Sequence, residues 1–224
     1  MIAMRAATFG RALVIACLLS GAGAGSVGAQ VRQLLPVDEA ARDPALFALR
    51  ARLIEGVQRR DTAVIYDVLA PDILNSFGGN GGPAEFRELW RAHEPDSELW
   101  PVLARVLAYG GAFLNDTLFM APYVAARFPG ELDAFLHVAV LAGDVTVHER
   151  PARAAPVLDT LAFEIVAADG EVRGEDGGVW LRIGLAGDRT GYVPAEVIGS
   201  PVGYRAGFVK RAGRWWLQVL VAGD

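Results

Sequence analysis

The stretch Ser76-Phe77-Gly78-Gly79-Asn80-Gly81-Gly82-Pro83 has the residue types most suited to holding a ligand. Four glycines leave its backbone bare, and Pro83 opens a helix directly behind it, so peptide N–H groups at a helix N-terminus stand where an anion would bind. A nucleotide-binding loop needs a Gly-Lys-Ser/Thr ending, or G-x-G-x-x-G with an acid about twenty residues on. This stretch has no lysine, and Pro83 removes one N–H donor. It reads as a strand-to-helix joint, with Asn75, Ser76, Phe77, Gly78, Gly79 and Asn80 as candidate ligand-facing residues and Tyr123 as a further aromatic candidate. A serine nucleophile at Ser76 is disfavoured, because a nucleophile elbow needs glycine two residues earlier and Leu74 stands there.

The other reactive types are sparse. His93, His137 and His148 occur singly, without His-x-His or His-Glu-x-x-His spacing, so neither a metal nor a cofactor is expected. Glu94, Asp96 and Glu98 read as a helix-entry cluster. The segment from Asp169 to Asp176, with Glu171 and Glu175, lacks the alternating oxygen ligands and closing glutamate of a calcium loop and reads as a hairpin tip. Lys210 is the only lysine, which removes Schiff-base, Ser-Lys and phosphate-loop lysine chemistry together. Aromatic side chains are the stronger candidates: Trp180, Tyr192, Tyr204, Trp215 and Trp216 fall in or beside predicted strands. Trp215 and Trp216 are adjacent, so a strand must point them to opposite faces, leaving one either covered by the helical half or exposed for recognition.

The elements that position these residues change character along the chain. Asp43-Pro44 caps and opens a helix carrying Leu46, Leu49, Leu53, Ile54 and Val57 at helical spacing. Asp61 caps a second helix that Pro71 ends, Pro83 opens a third, and a fourth begins near Trp100-Pro101 and runs to Gly110-Gly111. From Ala139 onward short apolar runs alternate with turn signals such as Ala142-Gly143-Asp144, Asp176-Gly177-Gly178 and Arg211-Ala212-Gly213, a strand pattern.

The first 29 residues have a positive start at Arg5 and Arg11, an apolar run from Ala12 to Leu19, and small residues ending Val27-Gly28-Ala29. This predicts a signal peptide cleaved after Ala29, a short tail from Gln30, and a periplasmic or secreted mature chain with no transmembrane segment. A competing reading makes Val14-Ile15-Ala16-Cys17 a lipoprotein cleavage box. Otherwise the only cysteine, Cys17, leaves with the leader, and so do two arginines but no acid, taking the net charge from −5 to −7. An acidic chain without a basic block argues against nucleic acid as a partner.

The series Val145-x-Val147, Pro151, Val157, Leu161, Trp180-x-Arg182-Ile183 and Gly187-x-x-x-Gly191-Tyr192-Val193 resembles the bacterial SH3-like (SH3b) family over roughly residues 143–197. His148 stands where that family usually carries arginine. The resemblance implies a small β-barrel in an exported binding or scaffold module. Its expected partner is peptidoglycan or an envelope protein, and it carries no catalysis. A second likeness concerns the front: Leu53-x-x-Gly56-Val57-x-x-Arg60-Asp61-x-x-x-Ile65 followed by Leu69-Ala70-Pro71-Asp72-Ile73 resembles the opening helices of the nuclear-transport-factor-2-like cone fold. That likeness implies an alternative, a small-molecule-binding or weakly hydrolytic cone-like domain with the SH3-like barrel inserted and Phe77, Tyr123 and the glycine loop at its mouth. The expected architecture is therefore α+β, with a mainly helical domain over 30–136 and an SH3-like β-barrel over 137–224 that carries an extra C-terminal hairpin.

Overall fold

A computed structural model of the chain describes residues 32–223. The expected leader, its cleavage point and Cys17 lie outside the described residues. The first helix, α1 (Pro44–Arg59), starts where its cap signal places it: the Asp43 carboxylate accepts from the amides of Ala45 and Leu46 at 2.9 and 3.1 Å. Leu46, Leu49, Leu53 and Val57 form its buried stripe. Asp61 caps α2 (Thr62–Asp67) in the same way. The chain then enters β1 (Leu69–Leu74), followed by α3 (Gly82–Trp90) and α4 (Leu99–Ala108).

Beyond α4 the strands begin earlier than expected. A hairpin of β2 (Ala112–Asn115) and β3 (Leu118–Ala121) leads through α5 (Tyr123–Arg127) to β4 (His137–Val140). Five strands follow, β5 (Val145–His148), β6 (Val157–Leu161), β7 (Ile165–Arg173), β8 (Val179–Leu185) and β9 (Arg189–Pro194). The chain ends with β10 (Ile198–Gly199), β11 (Arg205–Arg211) and β12 (Arg214–Val221). The twelve strands among the described residues form two sheets, ordered β1-β12-β11-β3-β2 and β10-β4-β7-β8-β9-β5-β6.

This overturns the expected fold class. Among the described residues the fold is mostly β, its four larger helices all precede the β2–β3 hairpin, and the seven-stranded sheet is open, with β10 and β6 at its two ends, where a closed SH3-like barrel was predicted. The terminal hairpin is not an appendage of those strands. It is the centre of the other sheet, where β12 pairs in parallel with β1 and β11 pairs antiparallel with β3. Pro71 lies inside β1, which is tolerated because β1 is an edge strand and needs donors on one side only. The β2–β3 turn is closed by Asn115, whose side-chain oxygen accepts from the Thr117 amide at 3.0 Å.

All four larger helices pack on one face of the five-stranded sheet, over a core that includes Phe86, Trp100, Phe119, Phe208, Trp215 and Leu217. A second core, built on Val140, Val147, Ile183 and Val193, belongs to the seven-stranded sheet. Between them a small cluster of Leu34, Tyr123, Val124 and Ala139 forms a seam. The segment expected as a short tail runs along this seam as a strap. Its Leu34 amide donates to Phe163 O at 2.7 Å and Arg32 O accepts from Ile165 at 2.8 Å, on the seven-stranded side. Val37 O then accepts from Gly111 at 3.1 Å and the Glu39 amide donates to Gly111 O at 2.9 Å, on the five-stranded side. Gly110 has φ +59°, and a side chain on it would meet Val37 O at 2.5 Å, so this glycine after α4 is what admits the strap. Asp38 ends it on Arg50, which is buried, grips both carboxylate oxygens at 2.8 and 2.6 Å, and donates to Leu107 O at the end of α4.

The single lysine has a structural position. Lys210 Nζ on β11 donates to Asp43 Oδ2 at 2.6 Å, tying the cap of α1 to the central hairpin. That contact, with the amides of Leu46 and Ala45, holds the Asp43 carboxyl below its ordinary 3.8. Because the folded carboxyl titrates below the unfolded one, this stabilisation is complete above the unfolded value near 3.8 and is lost as pH falls through the folded value. Lys210→Met should therefore cost about 1–2 kcal/mol in urea unfolding at pH 7 and progressively less below that window. An equal cost at pH 7 and at pH 2 would show that the pair does not act through the Asp43 charge.

Candidate functional site

The glycine loop joins β1 to α3, as its composition suggests, and closes on itself. Asn75 is 7% exposed, and its amide donates to Gly82 O at 3.1 Å and to Glu85 Oε2 at 3.4 Å, spanning the loop's two ends. A side chain on Gly79 would land 1.9 Å from Glu85 Oε1, and one on Gly81, at φ +72°, 2.9 Å from Ile73 O. Two of the glycines are thus bare because the chain's own groups approach there. Glu85 lies in the first turn of α3 and folds back against the loop, so a carboxylate stands where an external anion would bind. Ser76 is half-buried, while Phe77, Gly78 and Asn80 are exposed, with the Arg205 guanidinium 5.5 Å from the Phe77 ring. Tyr123 is buried in the seam core, its hydroxyl donating to Leu34 O at 3.4 Å. Burial, with Tyr109 nearby, pushes that hydroxyl up to about 12.

The aromatic candidates separate by burial. Trp180 is 1% exposed, donates from Nε1 to Asp176 Oδ1 at 3.2 Å and meets His148 edge-on at 5.6 Å. The Gly178 amide and the Trp180 N–H lower the Asp176 carboxyl from its ordinary value. His148 is itself buried, with Nδ1 at 2.9 Å from Ala155 O and Nε2 at 3.0 Å from Thr146 Oγ1. A carbonyl can only accept, so Nδ1 carries a proton. Tyr192 is half-buried on β9, opposite His148 and Arg182. Trp215 points into the main core, whereas Trp216 is half-buried beneath Arg214, whose guanidinium carbon is 4.1 Å from its ring centroid. Tyr204 is 45% exposed and packs on Trp90 at 5.5 Å.

Of these, Tyr204 borders a cavity. A crevice of about 150 Å³ lies between α4 and the β10 end of the seven-stranded sheet, walled by Val102, Val106, Val124, Leu141 and Ile198, with Tyr109 and Tyr204 beside them. Leu141 and Val124 of its wall pack directly on Gly199, where a side chain would reach Leu141 Cδ2 at 2.8 Å and Val124 Cγ2 at 3.0 Å. At its mouth Arg105 donates to the carbonyls of Ile198, Glu196 and Ala195 at 2.6, 3.2 and 3.5 Å. The bond to Ile198 O lies on β10, and the other two tie Arg105 to the turn that precedes that strand. The crevice opens into a broader groove of about 430 Å³, which shares Arg105, Ile198, Ser200 and Gly203 with it and continues over Val179 and Leu181.

No protein family, curated protein or solved structure matches this chain. The site therefore stands on its geometry. An apolar slot with one guanidinium and a few hydroxyls at its mouth is built to hold an apolar body and orient it through a small polar group. Arg105, Ile198 and Ser200 were not singled out in the sequence. They lie on segments more than ninety residues apart, and on α4 Arg105 reads as one more polar-face residue. Among the described residues no group of three or more His, Cys, Asp or Glu converges as a metal site, and no helix is long and apolar enough to cross a membrane.

Proposed function

We propose that the protein is an exported, non-catalytic binding protein that takes an apolar group of its ligand into the crevice between α4 and β10. The observation that supports this reading is the crevice itself: walls of valine, leucine and isoleucine, with few polar side chains in its lining. An apolar cavity of this volume accommodates a benzene-sized group. The leader-like first 29 residues favour a ligand met in the cell envelope, as a free molecule or as a protruding group of a peptide, glycan or protein. The cone-like alternative has one observation in its favour, the pairing of the terminal hairpin with β1 and β3. Against it, the space beneath that sheet is filled by Phe86, Trp100, Phe119 and Phe208.

Titration with toluene, followed by methyl NMR, tests the crevice directly. Saturable shifts are expected at Val102, Val106, Val124, Leu141 and Ile198, with a roughly millimolar Kd. Gly199→Ala should weaken them about tenfold by pushing a methyl into the slot. Shifts that are absent, or spread evenly over the protein's methyls, would sink the proposal.

A further inference from the structure

The mouth of the crevice selects for charge as well as for apolar shape. Arg105 makes three hydrogen bonds, all to backbone carbonyls, and among the described residues no carboxylate lies within ion-pair distance of it. Its Nε has no partner among these bonds, and the Ser200 hydroxyl, at the same mouth, makes no side-chain hydrogen bond. Carbonyl dipoles position the guanidinium but do not neutralise it, so a full positive charge stands beside an apolar slot with donors still to spare. Tyr109 lies against the other side of the guanidinium, 5.7 Å from ring centroid to Cζ, and limits where the head can swing.

The remaining charges set the direction. Glu171 and Glu196 line the outer groove together with Arg105 and Ser200, and Glu196 is held by Arg153 at 2.6 Å. An anion extended along the groove would meet these acids. No acid lines the slot itself, so the hydrocarbon part belongs there and the carboxylate at Arg105, the one cation of its lining.

Resting on the crevice reading above, we infer that the ligand is an amphipathic carboxylate: a compact aromatic or branched apolar body seated between α4 and β10, with its carboxylate on Arg105 Nε and Ser200 Oγ. Two sources supply this chemistry, a free small carboxylic acid and the C-terminal carboxylate of a peptide ending in a bulky apolar residue.

Four probes test it on the whole protein by methyl NMR and calorimetry: 3-phenylpropionate, 3-phenylpropionamide, acetyl-Gly-Phe and acetyl-Gly-Phe amide. Each acid is expected to bind about tenfold more tightly than its amide, the size of one charge-assisted contact. The tighter of the two acids identifies the source. Arg105→Gln should abolish the preference for acid over amide. Since that variant also loses the β10 carbonyl contacts, the wild type supplies an independent readout: raising salt from roughly 20 to 300 mM should shrink the acid's advantage severalfold while leaving the amide unmoved. If acid and amide bind equally and the crevice methyls still shift, the carboxylate inference is overturned and the crevice reading stands. If no probe moves those methyls, both fall.

Discussion

Deleting Arg32–Asp38 is expected to remove on the order of 5 kcal/mol of stability or more, enough to leave a marginal domain largely unfolded at 25 °C. The strap is short but is paired on both sides. It supplies backbone partners to Phe163 and Ile165 on one side and to Gly111 on the other, and each hydrogen bond lost costs roughly 1 kcal/mol. Leu34 is buried with Tyr123 and Val124, and its loss opens a cavity between the sheets. Without Asp38, Arg50, which is 6% exposed in the intact chain, loses the partner of its charge. An uncompensated buried charge of this kind costs several kcal/mol, less here because the Asp38 carboxylate is half exposed. Urea unfolding followed by tryptophan fluorescence gives the answer. Leu34→Ala alone should cost about 2–3 kcal/mol. A deletion variant that unfolds within about 0.5 kcal/mol of the full chain would show that the two sheets hold together without the strap.

The second large effect separates the adjacent tryptophans. Trp215→Ala is expected to destabilise the protein by about 3–5 kcal/mol, because the indole is 3% exposed, lies 6.0 Å from Phe113 and closes the core between α1 and the central hairpin. Trp216→Ala should cost less, about 1–2 kcal/mol, since that ring is only half-buried, packing on the edge of the main core and under the exposed Arg214. Thermal unfolding of the two variants side by side is sufficient. Equal losses would contradict the assignment of the two rings to opposite faces of β12.

These two effects show where the sequence was legible. The tryptophan pair was readable because strand alternation is a local rule, and so were the Asp43 and Asp61 caps, the helix stripe of Leu46, Leu49, Leu53 and Val57, and most strands after Ala139. The β2–β3 hairpin was missed although Asn115-Asp116-Thr117 offers a turn signal, because its two strands are only four residues each and follow a long helical run. The strap was missed because residues 32–39 have no periodicity of their own. Their order comes from partners at 111 and 163–165.

The same division holds for the sites. By itself the sequence determined the caps, the turn chemistry, the strand faces, the acidic balance and the absence of a phosphate-loop lysine, all of which depend on residue type and short spacing. Tertiary structure alone decided that Glu85 fills the anion position at the glycine loop, that Trp180 is interior, that the terminal hairpin is central to the five-stranded sheet, and that Arg105 faces Ile198 across an apolar crevice. Each of those depends on which distant segments meet. Meeting is governed by the burial of whole faces and the pairing of strand edges, neither of which a local pattern of residues encodes.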